Sequence, residues 1–160
     1  MAGWSLDVVS GGSSGGWRWL HVPGKGKLVV VFAADGWLVY TGHYWQGRVW
    51  RCREPHCTLC ELSLPIISRL LVPCAAGSDG RLGVLELPGR VSDALLEVRA
   101  RHGTLKGVTG SFARRRVGGQ GQVDVVDEYS GVLVDVPVVD VQDLVRWLEG
   151  QDFWRGKLST

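Results

Sequence analysis

The sequence predicts a mainly β fold of the α+β class, a small barrel with one internal helix and a C-terminal helix. Short β-branched or alternating segments recur between Gly-rich turns, as is typical of strands in small barrels. Only two segments have helical periodicity, one in the interior and one near the end of the chain. At 160 residues, 45% of them hydrophobic and 21% charged, the chain is long enough for one domain with its own core.

The strand and helix assignments follow the chain in order. Predicted strands cover residues 27–32, 37–41, 45–51, 69–73, 81–87, 107–116, 122–126 and 131–136. Residues 88–101 predict an amphipathic helix, because apolar residues such as Val91 and Leu95 recur there at helical spacing. Asp140 predicts the N-cap of a final helix that ends at Leu148.

Composition divides the chain into three parts. Residues 1–16 contain a run of Gly and Ser and predict a flexible lead. Residues 17–136 predict the β domain, with a zinc knuckle at 43–60, and residues 137–160 predict a C-terminal helix and tail. The longest apolar stretch is of strand length, far short of the roughly 20 residues that span a bilayer. No secretory signal is recognisable, so we expect a cytoplasmic protein without a membrane partner.

Four potential metal ligands are concentrated in one short region. They occur in the order His43, Cys52, Cys57 and Cys60, and the last two form a CxxC turn whose thiolates can reach one ion. A third Cys and a His from the preceding hairpin complete a tetrahedral set with no open position. The pattern therefore predicts a structural Zn²⁺ site, which cross-links the fold and has no catalytic role.

The cysteines also admit other interpretations. A redox-active CxxC requires the N-terminus of a helix beside a βαβ unit, whereas this motif lies between strand-like segments. Buried thiols without a metal are a further alternative. His56 and Cys74 compete with His43 for the fourth ligand position. His56 adjoins Cys57 and is expected to point away from the ion, and Cys74 lies in an apolar run typical of a core.

Aromatic and basic residues alternate along the predicted zinc ribbon and on a later strand. Surfaces that bind single strands combine cations for phosphates with rings on which bases stack, each stack contributing about 1–3 kcal/mol. The predicted nucleic-acid-binding residues are Tyr44, Trp45, Arg48, Trp50, Arg51, Arg53, Phe112, Arg114 and Arg116. The alternative for Trp45 and Trp50 is packing around the metal site, and Trp37 and Trp147 are expected in the core.

The net charge of +2 is unevenly distributed along the chain. Residues 1–116 contain 15 Lys/Arg and 8 Asp/Glu, whereas residues 117–160 contain 3 Lys/Arg and 8 Asp/Glu. A basic body with an acidic end is common among nucleic-acid binders, and the acidic end can recruit a protein partner. Both regions also fit ordinary solvated surfaces, so composition alone does not decide between these interpretations.

The run from Gly42 to Cys60 resembles a HxW-GR-C-CxxC signature of small uncharacterised bacterial and mobile-element proteins. Its ligand order, His, then Cys, then CxxC, is also similar to that of the zinc-containing single-stranded DNA-binding proteins of phages, which have an OB-fold with a zinc-stabilised subdomain. The similarity covers about residues 28–126. It implies an OB-like barrel with an inserted zinc knuckle and single-stranded DNA as the ligand.

The function predicted from these features is non-enzymatic binding of nucleic acid, most readily single-stranded DNA. His21 and His102 have no companion Ser or Cys nucleophile at a recognisable spacing, and the HxE and PCxxC motifs of zinc deaminases are absent from the sequence. The alternative is a protein-interaction module, an accessory subunit of a larger complex. Such a module would dock through exposed Trp residues and the apolar stripe of the last helix.

Overall fold

A computed structural model describes residues 17–76, 80–117, 122–136 and 139–155. The predicted lead at 1–16 lies outside these residues. The described strands are β1 (Trp19–Leu20), β2 (Lys27–Phe32), β3 (Leu38–Trp45), β4 (Arg48–Arg51), β5 (Ile67–Ala76), β6 (Arg81–Pro88), β7 (Val108–Val117) and β8 (Gln122–Leu133). The described helices are α1 (Thr58–Glu61), α2 (Val91–His102), α3 (Val141–Leu148) and α4 (Asp152–Arg155). The fold is therefore mainly β with a few helices, as the sequence predicts.

The strands form one sheet in which β5 is the central element. The order is β1-β6-β5-β2-β7-β8, and β3 pairs with both β5 and β4. One edge of β5 pairs with β6 from Arg69 to Ala76. The other edge is shared, because 67–71 pair with β3 and 74–76 pair with β2. Among the described residues β1 and β8 end the sheet and do not pair with each other, so the predicted barrel closure is not observed.

The central strand is buried on both faces, and this explains its continuous apolar sequence. Its residues alternate between two cores: Leu70 and Val72 face one, and Leu71 and Ala75 face the other. A strand covered on one side only would show polar residues at every second position. The run from Leu70 to Ala76 has none, and every residue in it is buried.

Helix α2 covers the first core. Val91, Leu95 and Val98, which recur on one face of the helix, are all buried against the sheet. The helix ends at Gly103, which has a left-handed φ of 75° that a Gly adopts without strain. These observations confirm the helix predicted at 88–101, with a start three residues later.

Helices α3 and α4 cover the second core. Leu144 and Leu148 of α3 are fully buried, and Phe153 and Trp154 of α4 pack into the same cluster. Asp140 caps α3 as predicted, because its carboxylate accepts a hydrogen bond from the Gln142 amide at 2.9 Å. The C-terminal helix thus packs on the same sheet as the rest of the chain, and its apolar stripe is used within the molecule.

Three features of the backbone differ from the sequence-based assignments. Strand β8 extends to Leu133, so the strands predicted separately at 122–126 and 131–136 are joined, and the pairing with β7 shifts register between Tyr129 and Leu133. Strand β1 and helix α4 are too short to leave a periodic pattern in the sequence. None of the helices in the described part of the chain combines the length and the apolar character needed to cross a membrane.

Candidate metal centre and surface cleft

The β3–β4 hairpin brings the first two potential ligands together. Its turn uses Gln46 and Gly47 at φ values of 50° and 85°, which match the twist of antiparallel strands. His43 lies opposite Trp50, and the Cys52 amide continues the pairing by donating to the Thr41 carbonyl at 2.8 Å. The hairpin register therefore fixes the distance between His43 and Cys52.

The CxxC motif lies on a single turn of helix. Cys57 is the residue before α1, and Cys60 is within it. The amide of Glu61 donates to the Cys57 carbonyl, and buried Leu59 anchors the turn. The motif lies between β4 and β5, as expected, although on this one turn of helix. The strands around it pair antiparallel, so the βαβ unit that accompanies a redox-active CxxC is not found there.

The sulfur and nitrogen atoms of the four residues converge. The ligand atoms of His43, Cys52, Cys57 and Cys60 all lie within 4.8 Å of one another. The Cys52 and Cys60 sulfurs are 3.5 Å apart, and Cys60 Sγ is 3.3 Å from His43 Nε2. A tetrahedral ion with Zn–S bonds of about 2.3 Å separates two sulfurs by about 3.8 Å, so these distances suit one shared ion. The four residues can hold a metal ion.

His43 is oriented for coordination by its second nitrogen. Its Nδ1 lies 3.0 Å from the Leu64 carbonyl and 3.1 Å from the Pro65 carbonyl. Because carbonyl oxygens only accept, Nδ1 carries a hydrogen, which leaves Nε2 as the nitrogen that faces the sulfurs and is available to a metal ion. A carbonyl that fixes the tautomer in this way is typical of ligating histidines. The ring is fully buried and cannot rotate freely.

The thiols of the CxxC motif do not ionise independently. Burial raises the pKa of Cys57, but hydrogen bonds from the backbone of Arg53, Cys60 and Leu59 outweigh it and lower that pKa to about 6. The pKa of Cys60 is raised to about 12, first by its hydrogen bond with Cys52 and then by burial and the charge of Cys57. Three adjacent thiolates repel one another, and a divalent cation removes that repulsion.

The other two candidates for the fourth position lie outside the cluster. Cys74 is fully buried in the core, and burial raises its pKa well above the usual range. Its thiol donates to the Val72 carbonyl at 3.4 Å. His56 is exposed. His43, in contrast, lies with the three cysteines in the group that can hold a metal ion.

The two arginines of strand β4 pack against helix α4. The Cζ atom of Arg48 is 4.0 Å from the centroid of the Phe153 ring, and that of Arg51 is 4.0 Å from the Trp154 ring. Arg51 and Arg53 both donate from Nη1 to the Trp154 carbonyl at 3.4 Å. Burial lowers the pKa of Arg51, and the positive charge of Arg53 adds to this effect. Three of the arginines that were predicted to bind nucleic acid, Arg48, Arg51 and Arg53, thus make contacts within the protein.

Trp45 and Trp50 form a pair at the end of the hairpin. Their ring centroids are 6.3 Å apart in an edge-to-face arrangement, and Trp50 Nε1 donates to the Trp45 carbonyl at 3.0 Å. Both side chains are half-buried. Trp50 also lines a small cavity of about 30 Å³ beside Cys57, together with Arg51 and Arg53. The pair therefore packs beside the metal cluster, as the alternative interpretation holds.

Phe112 requires a correction. Its side chain is fully buried in the first core, where it contacts Phe32 and Tyr129 edge to face. A base cannot reach this ring, so Phe112 belongs to the core and not to a stacking surface. Arg114 is exposed two residues further along β7. The side chain of Arg116 lies outside the described residues.

Two of the predicted binding residues line the same open cleft, which has a volume of about 380 Å³. Tyr44 of the β3–β4 hairpin and Arg114 of β7 both line it, although they are far apart in the sequence. Tyr44 is 63% exposed, so its ring is available for stacking. The apolar lining consists of Val22, Val49, Ile67, Pro88 and Val125.

The same cleft contains two polar residues that the sequence did not point to. Arg69 on β5 and Glu86 on β6 line it and form an ion pair of 3.3 Å between Nε and Oε1. Glu86 lies between Leu85 and Leu87, and Arg69 lies between Ser68 and the apolar run that starts at Leu70. A charged residue within or at the edge of an apolar strand sequence is the signal that could have indicated them. Tyr40 is buried beside this pair, and burial raises its pKa, with a further contribution from the charge of Glu86.

The acidic end of the chain is partly neutralised within its helices. The carboxylate of Asp143 pairs with Arg146 three residues later, and Asp152 pairs with Arg155 at 2.8 Å. Such exposed pairs contribute little to stability, but they reduce the negative charge presented by α3 and α4.

Comparison of the chain with models of protein families, with curated proteins and with solved structures finds no match.

Proposed function

We propose that this protein binds single-stranded nucleic acid and that a structural zinc ion holds its β3–β4 hairpin and helix α1 together. The observation that carries the proposal is the placement of Tyr44 and Arg114 in one open cleft. An exposed ring and an exposed guanidinium are the two components of a single-strand site, one for a base and one for phosphate. Duplex DNA offers no free base face to such a ring.

Arg114 is the cation of the cleft that would contact phosphate. Arg115 and Lys27 are exposed as well, but Lys27 pairs with Ala113, and strand alternation places both on the sheet face opposite to Arg114. The proposed phosphate contact therefore rests on Arg114.

Zinc is the metal that suits the cluster best. Three thiolates and one imidazole are soft or intermediate ligands, whereas Mg²⁺ and Ca²⁺ require oxygen ligands. Four protein ligands leave no position for water or substrate, so the ion has a structural role. With three thiolates and Zn²⁺ the centre has a charge of −1, and Arg51 and Arg53 line the cavity beside Cys57 and compensate for it.

The test is fluorescence anisotropy with a labelled thymidine oligonucleotide and a duplex control, on protein whose zinc content has been measured. Arg114→Ala should weaken binding at low salt and reduce the slope of log affinity against log salt by about 1. Tyr44→Ala should weaken binding about tenfold, because it removes one stack. Arg101→Ala is the matched control, since Arg101 is exposed on α2 and pairs with Glu97.

Equal effects of Arg114→Ala and Arg101→Ala would contradict the cleft as the binding site. No binding by the wild-type protein at low salt to this oligonucleotide or to one of mixed sequence would refute the proposed function and leave the metal centre standing. The non-enzymatic role would also be refuted if the wild-type protein cleaved or modified the oligonucleotide.

A further inference from the structure

The Arg69–Glu86 pair gives the cleft a polar floor. The side chains are 26% and 13% exposed, so both are largely shielded but still reach the cleft. Arg69 Nε donates to Glu86 Oε1 at 3.3 Å. A carboxylate has two oxygens and about four lone pairs, so Glu86 can accept further hydrogen bonds from a ligand.

The dimensions of the cleft suit one nucleoside. Small-ligand sites have volumes of about 300–1,000 Å³, and this cleft, at about 380 Å³, lies near the lower end of that range. Apolar residues such as Val49 and Ile67 line it together with Tyr44 and the ion pair. A flat ring that stacks on Tyr44 can therefore direct one edge towards Arg69 and Glu86.

The negative charge of Glu86 decides what can bind beside it. Phosphate would be repelled by the carboxylate, so phosphate belongs at Arg114, which is exposed. A base whose edge carries N–H donors can bind here, because the Glu86 carboxylate accepts hydrogen bonds. Such a charge-assisted hydrogen bond is about twice as strong as a neutral one. Among the bases, only guanine has two adjacent N–H donors on its Watson–Crick edge, N1–H and the 2-amino group. Its O6 lies beside them and can accept from a guanidinium.

We infer that the cleft binds one base of the single strand and that Glu86, held by Arg69, makes guanine the preferred base; this inference rests on the proposed single-strand binding. Tyr44 stacks on the base, Glu86 accepts from N1–H and the 2-amino group, and Arg69 faces O6. Thymine has one N–H between two carbonyl oxygens that the carboxylate repels, so it is the least favoured base. Adenine and cytosine, each with one amino group on that edge, are intermediate.

The experiment compares thymidine oligonucleotides on the order of a dozen nucleotides long with counterparts that carry one central guanine, inosine, adenine or cytosine. The wild-type protein should bind the guanine oligonucleotide about tenfold more tightly than the all-thymidine one, the effect of one good bidentate base contact. Inosine lacks the 2-amino group and should lose most of this preference. Glu86→Gln should abolish the preference, whereas Glu97→Gln, at an exposed paired carboxylate on α2, should retain it.

Each outcome distinguishes the two proposals. Equal binding of the guanine and thymidine oligonucleotides, a stronger preference for adenine or cytosine, or equal binding of guanine and inosine would refute the guanine inference while single-strand binding stands. The absence of binding to any oligonucleotide would refute both. If Glu86→Gln unfolds, as shown by its melting curve, the inosine comparison decides alone, because it changes the ligand and not the protein.

Discussion

The guanidinium of Arg48 lies over the ring of Phe153, with Cζ 4.0 Å from the ring centroid. Arg51 has the same relationship to Trp154. These contacts join the hairpin that carries His43 and Cys52 to helix α4, about a hundred residues later in the chain. The hairpin with these two potential ligands and helix α4 are thus parts of one packed unit.

We expect Arg48 and Phe153 to be energetically coupled. Arg48→Gln and Phe153→Leu should each destabilise the protein, and a double-mutant cycle in urea should give a coupling of about 1 kcal/mol, because a cation over a buried ring loses this attraction when either partner is replaced. Arg101→Gln combined with Phe153→Leu is the control and should be additive, since Arg101 is exposed on α2. Additivity of the Arg48 and Phe153 changes would contradict the contact.

We expect Cys57→Ser to release the metal and lower the melting temperature by on the order of 10 °C, because a structural metal site contributes directly to folding. The measurements are metal content after dialysis and a thermal melt. A strong chelator should lower the melting temperature of the wild-type protein and leave Cys57→Ser unchanged.

Cys74→Ala provides the matched control for the metal centre. Cys74 is a buried core residue outside the cluster, so this change should cost about 1 kcal/mol of stability while the metal content stays the same. Retention of stoichiometric metal by Cys57→Ser, or its loss from Cys74→Ala, would refute the assignment of the ligands.

We expect Gly42→Ala to weaken both the fold and the metal site. A Cβ at this position would collide with the Trp50 carbonyl and lie 2.7 Å from Val49 Cγ1, which pushes the two strands of the hairpin apart next to His43. The cost should be about 1–3 kcal/mol, as for overpacking elsewhere. Gly24→Ala, where an added Cβ meets nothing within 4 Å, should change stability by less than about 0.5 kcal/mol. Equal melting curves for the two variants would contradict the close approach.

We expect Asp35 to contribute stability that acid removes. Its carboxylate accepts hydrogen bonds from Thr104 and from the Leu105 and Lys106 amides, the latter two at 3.0 Å. The Thr104 bond is the main cause of its lowered pKa, followed by the Lys106 amide. Because the folded pKa lies below the unfolded value of 3.8, the contribution is complete above about pH 4 and is lost as the pH falls through the folded pKa.

The corresponding variant is Asp35→Asn. It should cost about 1 kcal/mol at pH 7, and the difference from the wild-type protein should shrink in urea titrations below pH 4. The control is Asp93→Asn on α2. Among the described residues no hydrogen bonds from a loop to the Asp93 carboxylate are observed. A difference that stays constant from pH 7 to pH 3 would contradict the role of the charge.

The metal cluster could be predicted from the sequence because its geometry is local. The spacing of Cys57 and Cys60 allows both sulfurs to reach one ion, and a hairpin brings His43 and Cys52 alongside. Helix α2 and the Asp140 cap were predictable for the same reason, since periodicity and capping act within a few residues. Strand β2 was predicted with its observed bounds.

Which faces are exposed could not be predicted, because covering elements come from distant parts of the chain. Alternation along β7 places Phe112 and Arg114 on one face, but it does not reveal that Phe32 and Tyr129 cover the first of them. The packing of Arg48 against α4 depends on a segment about a hundred residues later. The open sheet likewise depends on long-range register between β5 and its neighbours, for which the sequence contains no local signal.

The packing of α4 on β4 also has a consequence for synthesis on the ribosome. A chain that emerges from its N-terminus presents His43, Cys52 and the CxxC motif together early, so metal capture can precede the completion of the sheet. The second core, by contrast, stays uncovered until Phe153 and Trp154 have emerged. Between these two events the nascent chain exposes the apolar face of β5, the kind of surface that chaperones bind.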